Sequence, residues 1–252
     1  MAACCVQYFL LLFLLGASHW TLTQNLHCEV GRNLHLEDDP GRNFNWTSKV
    51  ERCDPNELCQ ETILLIKAEG TKTAVLASKG CADQDMESMT FIQYTPPPGL
   101  IVVSYSNYCN DTLCNNRNSI SQFWKPPETI ATSRMSGALR CPTCVALGPC
   151  SSAPSLPCPN NTTQCYQGRL ELSGGGMDSV VVHVKGCTPM IGCRLMATMT
   201  SVGPMTVKET CSYSSFLQPR KAESSASWRL TSLWLLELLS PALLLPPLSH
   251  FA

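Results

Sequence analysis

The sequence predicts a mainly β, disulfide-stapled protein built as two tandem halves. Three observations carry that prediction: 16 cysteines in 252 residues, a cysteine spacing that repeats, and β-branched runs bracketed by glycine and proline turns. Eight cysteines crowd one stretch: Cys141, Cys144, Cys150, Cys158, Cys165, Cys187, Cys193 and Cys211, with gaps of 2, 5, 7, 6, 21, 5 and 17 residues. Six more, Cys28, Cys53, Cys59, Cys81, Cys109 and Cys114, form an earlier cluster. Such density has two main readings, a metal cluster or a disulfide scaffold, and the ends of the chain bear on the choice.

Val6 to Leu15 is nearly all apolar and is followed by the small residues Gly16, Ala17 and Ser18. That is the pattern of a secretory signal over 1–24, cleaved between 18 and 24. The run is too short to span a bilayer, which takes about 20 residues. A secreted chain meets an oxidising lumen, where paired thiols become disulfides. Losing Cys4 and Cys5 with the signal leaves 14 of the 16 cysteines, an even number. Zinc is the minor reading, because Cys141-Pro142-Thr143-Cys144 has no second close pair downstream.

Leu233 to Leu248 is leucine-rich but interrupted by Glu237, Pro241, Pro246 and Pro247. A permanent membrane helix tolerates such residues poorly. Upstream lie the small residues Ser224, Ser225, Ala226 and Ser227, then a short polar spacer. The combination reads as a glycosylphosphatidylinositol (GPI) attachment signal, with Ser224 the expected attachment residue and Ala222 and Ser225 as alternatives. Processing at both ends removes Arg229 and Glu237 and leaves the net charge at −1. A near-neutral chain carries no nucleic-acid footprint.

The expected organisation is a first domain over 25–115, a Ser/Thr/Asn/Pro-rich linker over 116–140, a second domain over 141–217, a juxtamembrane segment over 218–224 and a removed propeptide over 225–252. Each half repeats the other. Cys59 to Cys81 and Cys165 to Cys187 enclose equal lengths, and both end in Lys-Gly-Cys. In the first half, Thr62–Ile66 turns at Glu69-Gly70 and returns over Thr73–Leu76; Thr90–Tyr94 turns at Pro96–Gly99 and returns over Leu100–Val103. In the second, Arg169–Leu172 turns at Ser173–Gly176 and returns over Val180–Val184; Arg194–Thr198 turns near Gly203-Pro204 and returns over Met205–Val207. β-branched and Leu runs between Gly and Pro turns are strand signals. The glycine triplet Gly174–Gly176 reads as a mobile hairpin tip, since no helix pattern follows to make it a phosphate cradle. Domains of roughly 75 to 90 residues bury a thin core and lean on disulfides.

Cys-x2-Cys, a first finger, Cys-x6-Cys, a 21-residue second finger and Cys-x5-Cys resemble the three-finger (LU) family of lymphocyte antigen 6 and the urokinase receptor. The first half ends Cys109-Asn110-Asp111-Thr112-Leu113-Cys114-Asn115, similar to that family's closing Cys-x4-Cys-Asn. The resemblance implies pairs Cys28–Cys59, Cys53–Cys81 and Cys109–Cys114, then Cys141–Cys165, Cys144–Cys150, Cys158–Cys187 and Cys193–Cys211. Counting alone allows 15 pairings for six cysteines and 105 for eight. Against the family pattern the first half lacks the small first-finger and third-finger bridges, and the second half lacks the closing one, with Ser212 after Cys211. The first finger, from Glu29 to Arg52, is therefore expected to be the least restrained.

Further stretches, among them Asp39-Pro40-Gly41-Arg42, Phe44-Asn45-Trp46-Thr47-Ser48 and Ser104-Tyr105-Ser106-Asn107-Tyr108-Cys109, resemble a two-domain, GPI-anchored germ-cell branch of this family. That likeness implies a sperm-surface role in fertilisation. Its implied partners are germ-cell membrane proteins, including metalloprotease-like adhesion proteins and another GPI-anchored family member. The protein is then expected on the outer face of the plasma membrane, with a soluble form after shedding.

Sequons stand at Asn45, Asn110, Asn160 and Asn161. Catalysis has little to build on: after processing the histidines are His27, His35 and His183, and no nucleophile elbow, zinc-binding helix or phosphate loop occurs. The site expectations are thus no catalytic residue, no metal and no cofactor. A binding module that presents its fingers is the leading reading. A structural coat glycoprotein, or a soluble-ligand receptor module of the urokinase-receptor type, stays open. Phe44 and Trp46, aromatic residues in a long first finger distal to the anchor, are the expected partner contacts, with core packing as the alternative.

Overall fold

The computed structural model describes residues 26–38, 45–95, 99–121, 123, 135–160 and 162–212, with backbone alone for 135–138. The expected signal, Phe44, Asn161 and the residues Ala222, Ser224 and Ser225 fall outside these. Among the described residues every regular element is a strand.

The first half is one antiparallel sheet of β1 (His27–Glu37), β2 (Lys49–Arg52), β3 (Glu57–Ala68), β4 (Thr73–Asp83), β5 (Met89–Tyr94) and β6 (Leu100–Cys109), in the order β2-β1-β4-β3-β6-β5. β3 is central, and its run Thr62–Ile66 is buried on both faces, which is why it reads as a continuous apolar stretch rather than an alternating one. Gly70, at φ +70°, supplies the left-handed turn into β4. The first finger is better held than expected, since β1 pairs with β4 from Gly31 to Glu37.

The second half has a two-stranded sheet, β7 (Met135–Pro142) with β9 (Ser155–Pro159). Its larger sheet holds β8 (Cys144–Ala146), β10 (Gln164–Gly174), β11 (Met177–Thr188), β12 (Ser201–Val202) and β13 (Met205–Cys211), in the order β12-β13-β10-β11-β8. The strand expected over Arg194–Thr198 is a series of turns instead. The cause is Glu209, whose carboxylate accepts the Leu195 and Met196 amides at 2.7 and 3.1 Å and the Tyr166 hydroxyl at 2.7 Å. Backbone donors met by a side chain have no need of a neighbouring strand, and Leu195 and Met196 drop into the core.

The two halves share that core. Leu64, Ile66, Leu76, Leu100 and Val102 from the first sheet pack in one cluster with Leu170, Leu172, Val182, Val184 and Met205 from the second. Each such side chain, fully buried, contributes about 1.5–3 kcal/mol. Close approach across the seam needs residues without side chains. A Cβ on Gly203 (φ +54°) would overlap Thr62, and one on Gly176 (φ +70°) would overlap the Arg32 guanidinium. The glycine tip is thus docked on the first half, contrary to the reading of it as a mobile loop end.

On its other face the first sheet carries a second cluster, Ile63, Leu65, Val75, Ala77 and Val103, beneath Trp46 and Ile120 with Phe123 alongside. The start of the expected linker therefore packs on the first domain. At the base of each half sits a sulfur-rich hub. The bridges are Cys28–Cys59, Cys53–Cys81, Cys109–Cys114, Cys141–Cys165, Cys144–Cys150, Cys158–Cys187 and Cys193–Cys211, the pairs that the family pattern implies.

Asn115, fully buried, stitches the first hub to the sheet. Its amide nitrogen donates to the Glu29 and Gln60 carbonyls at 2.8 and 2.9 Å, and its oxygen accepts the Glu29 amide at 3.0 Å. Asn115→Ala strands these backbone groups, each costing about 1–3 kcal/mol when buried and unpaired. Denaturant unfolding of the oxidised protein should show a loss of at least about 1 kcal/mol, and an unchanged midpoint would contradict this role.

Candidate functional site

Trp46 does not project. It is 3% exposed and lies in the outer cluster of the first sheet, with the Lys79 ammonium 4.5 Å from its ring centroid. The expectation of a partner contact at Trp46 is corrected: the apolar outer face of β3 and β4 needs a cover, and the first finger supplies it with this indole. Phe44, its expected companion, lies outside the described residues.

Lys79 is itself almost fully buried, and its Nζ donates to Glu29 Oε2 at 2.7 Å and to Thr47 Oγ1 at 3.3 Å. Thr47 donates its hydroxyl to the same Glu29 oxygen at 2.6 Å. Burial opposes ionisation of Glu29, but the bonds from Lys79 and Thr47 and the Lys79 charge outweigh it and hold the carboxyl below its usual range. A buried carboxylate, Glu61, accepts Arg117 Nε at 3.0 Å and the Arg117 amide at 3.2 Å. The Arg117 guanidinium also lies 4.9 and 5.0 Å from the Tyr105 and Phe123 ring centroids. These two ion pairs clamp the first finger and the linker onto opposite ends of one cross-strand pair, Glu61 and Lys79. Composition could not reveal them; the signal in the sequence was a charge at Glu61 and at Lys79, each two residues along its strand from an apolar residue, Ile63 and Ala77.

No constellation among these groups resembles a nucleophile with its base. His183 sits on β11 opposite Arg169 of β10, on the outer face of the second sheet. The close sulfur groups Cys28–Cys53–Cys81 and Cys141–Cys158–Cys187 are halves of disulfides and offer no thiolates to a metal. Cys141 and Cys144 go to different bridges. Asn45, Asn110 and Asn160 are all exposed, as a glycan requires.

The surface feature missed by sequence reasoning is the edge strand β5. Among the described residues its one neighbour is β6, so its outer backbone groups have no strand partner there. Met89 and Ile92 are 51% and 55% exposed, and Met86 just before the strand is also exposed. Natural edges usually carry charge or proline; Met89–Tyr94 has neither. The strand was legible, but its place at the edge is a matter of topology that local sequence does not encode.

A family model described as the u-PAR/Ly-6 domain matches the chain twice, over 40–117 and 137–220. Testis-expressed protein 101 of Rattus norvegicus is 71% identical over 246 residues, 98% of each chain. That of Homo sapiens is 55% identical over 248 residues, again 98% of each chain. The CD177 antigen of Mus musculus is 32% identical over 191 residues, 75% of this chain and 23% of that one. The crystal structure of mouse TEX101 matches with a TM-score of 0.65 at 65% identity, covering 75% of this chain and 99% of that one.

The Glu29 clamp makes a pH prediction. A carboxyl with a depressed folded pKa contributes stability that is complete above its ordinary value, 4.5, and is lost as pH falls through the lower folded value. Trp46 fluorescence should report loosening of the first finger below about pH 4.5. Glu29→Gln should flatten that dependence. An identical acid profile in the variant would contradict the assignment.

Proposed function

Because the chain belongs to the u-PAR/Ly-6 domain family, we propose that it is a GPI-anchored germ-cell surface glycoprotein that works in fertilisation by binding other membrane proteins, without catalysis. Sperm adhesion and migration, and the maturation of sperm-surface partners, are the processes in view. Similarity to testis-expressed protein 101 over nearly the whole chain supports the tissue. The small residues around Ser224 and the broken apolar tail support the lipid anchor.

The observation that carries the binding reading is the exposed apolar edge of β5. An extended partner segment can add to such an edge through main-chain hydrogen bonds, while Met89 and Ile92 supply apolar contact. The strand lies at the far side of the sheet from β2, which follows the Asn45 sequon directly, so a glycan there leaves it open. The scaffold beneath is braced by disulfides and a two-sided core, which lowers the ordering cost of binding.

The test replaces Met89 and Ile92 together with Glu in the full chain on cells. Surface level and disulfides should be retained, phosphatidylinositol-specific phospholipase should release the protein, and recovery of sperm membrane proteins should fall at least tenfold. Undiminished recovery would sink the β5 assignment. Failure of the phospholipase to release it would sink the anchor.

A further inference from the structure

The repeat offers an internal comparison. Cys59 faces Cys81 across β3 and β4 as Cys165 faces Cys187 across β10 and β11. In that register Gln167 stands for Glu61, Arg169 for Ile63, His183 for Ala77 and Lys185 for Lys79. The first domain's outer face is apolar, carries a carboxylate and is covered by Trp46 and Ile120. At these positions the second domain's outer face carries a neutral amide in place of the acid, and an arginine and a histidine in place of the two apolar residues.

A groove of about 280 Å³ opens there, lined by Gln167, Arg169, His183, Lys185, Thr210 and Ser212 among others, and no carboxylate among the described residues lines it. Arg169 Nε donates to Thr210 Oγ1 at 3.2 Å, which ties the guanidinium to β13 within the lining. Lys185 Nζ donates to the Cys150 carbonyl at 3.1 Å, a neutral acceptor, and among the described residues no carboxylate pairs with it. The acid on this face, Glu171, lies further along β10, opposite Lys208. In the first domain the corresponding lysine is neutralised by Glu29.

We propose that this groove is a binding site for an acidic glycan, a saccharide bearing sulfate or carboxylate groups on a facing cell surface or matrix. Two fixed cations and an imidazole complement the anionic groups, and Arg presents a planar fork suited to their oxygens. The neutral hydroxyls of Thr210 and Ser212 match the sugar hydroxyls between them. The site depends on the extracellular placement proposed above but not on β5 or its partner.

The experiment uses the full chain purified from expressing cells, with a fluorescent heparin-derived octasaccharide as the probe and fluorescence anisotropy as the readout. Wild type should bind at 0.15 M salt and release at high salt, where exposed charges are screened to within about 3 Å at 1 M. Arg169→Gln with Lys185→Gln should weaken binding at least tenfold. Lys49→Gln with Lys72→Gln, an equal change of net charge on the first domain, should weaken it less than twofold. Mass mapping of the disulfides confirms that each variant is folded. Absence of wild-type binding, or equal loss in both double variants, would overturn the site. So would tighter association with phosphatidylserine vesicles or a polyglutamate peptide than with the octasaccharide. Loss of sperm-partner recovery in the β5 variant with octasaccharide binding intact would separate the two surfaces.

Discussion

The apolar seam between the two sheets is the constraint on which the rest depends. Neither half is large enough to bury a full core, and each leans on disulfides at its base. The hub bridges do not reach the fingers, and only the second half adds finger bridges, Cys144–Cys150 and Cys193–Cys211. Leu64, Ile66, Leu76 and Leu100 on one side and Leu170, Leu172, Val182 and Met205 on the other fill that region together. Gly176 and Gly203 permit the approach, because Arg32 and Thr62 occupy the space where side chains would stand. The parallel bridge between Gly99 and Cys187 ties the halves at the backbone as well.

Once the inner faces are committed to one another, the outer faces are free to differ. The first sheet stays apolar outside and is roofed by Trp46, Ile120 and Phe123. That roof demands the two ion pairs, Lys79 with Glu29 and Arg117 with Glu61, since a charge buried without a partner would be far costlier. The second sheet alternates instead, with Arg169 and Lys185 directed outward. One repeat has become a layered support and the other an open polar surface. The edge of the first, at β5, is left uncovered by either arrangement.

Much of this was legible beforehand. The hub cysteines, the second-finger hairpins and the repeat are local spacings, and the pairing followed from the family pattern in them. The sequence misled where the outcome depended on contacts distant in the chain. Trp46 in a polar loop looked exposed until the outer face of β3 needed a cover. Gly174–Gly176 looked mobile until the tip met Arg32. Arg194–Thr198 reads as a strand from its place before the Gly203-Pro204 turn, yet Glu209, more than ten residues downstream, captures the backbone donors at Leu195 and Met196. The doubly apolar run Thr62–Ile66 did carry the clue that both faces of β3 are buried.

The central claim is that the two domains fold and unfold as one unit through the seam. Leu100→Ala, made in the first domain, opens a cavity that should cost about 2–5 kcal/mol. Native-state hydrogen exchange resolves where the cost is felt. The shared core requires amides of β10 and β11 to lose protection by the same free energy as those of β3 and β4. Loss confined to the first sheet, with β10 and β11 unchanged, would contradict it and leave two independent domains in contact.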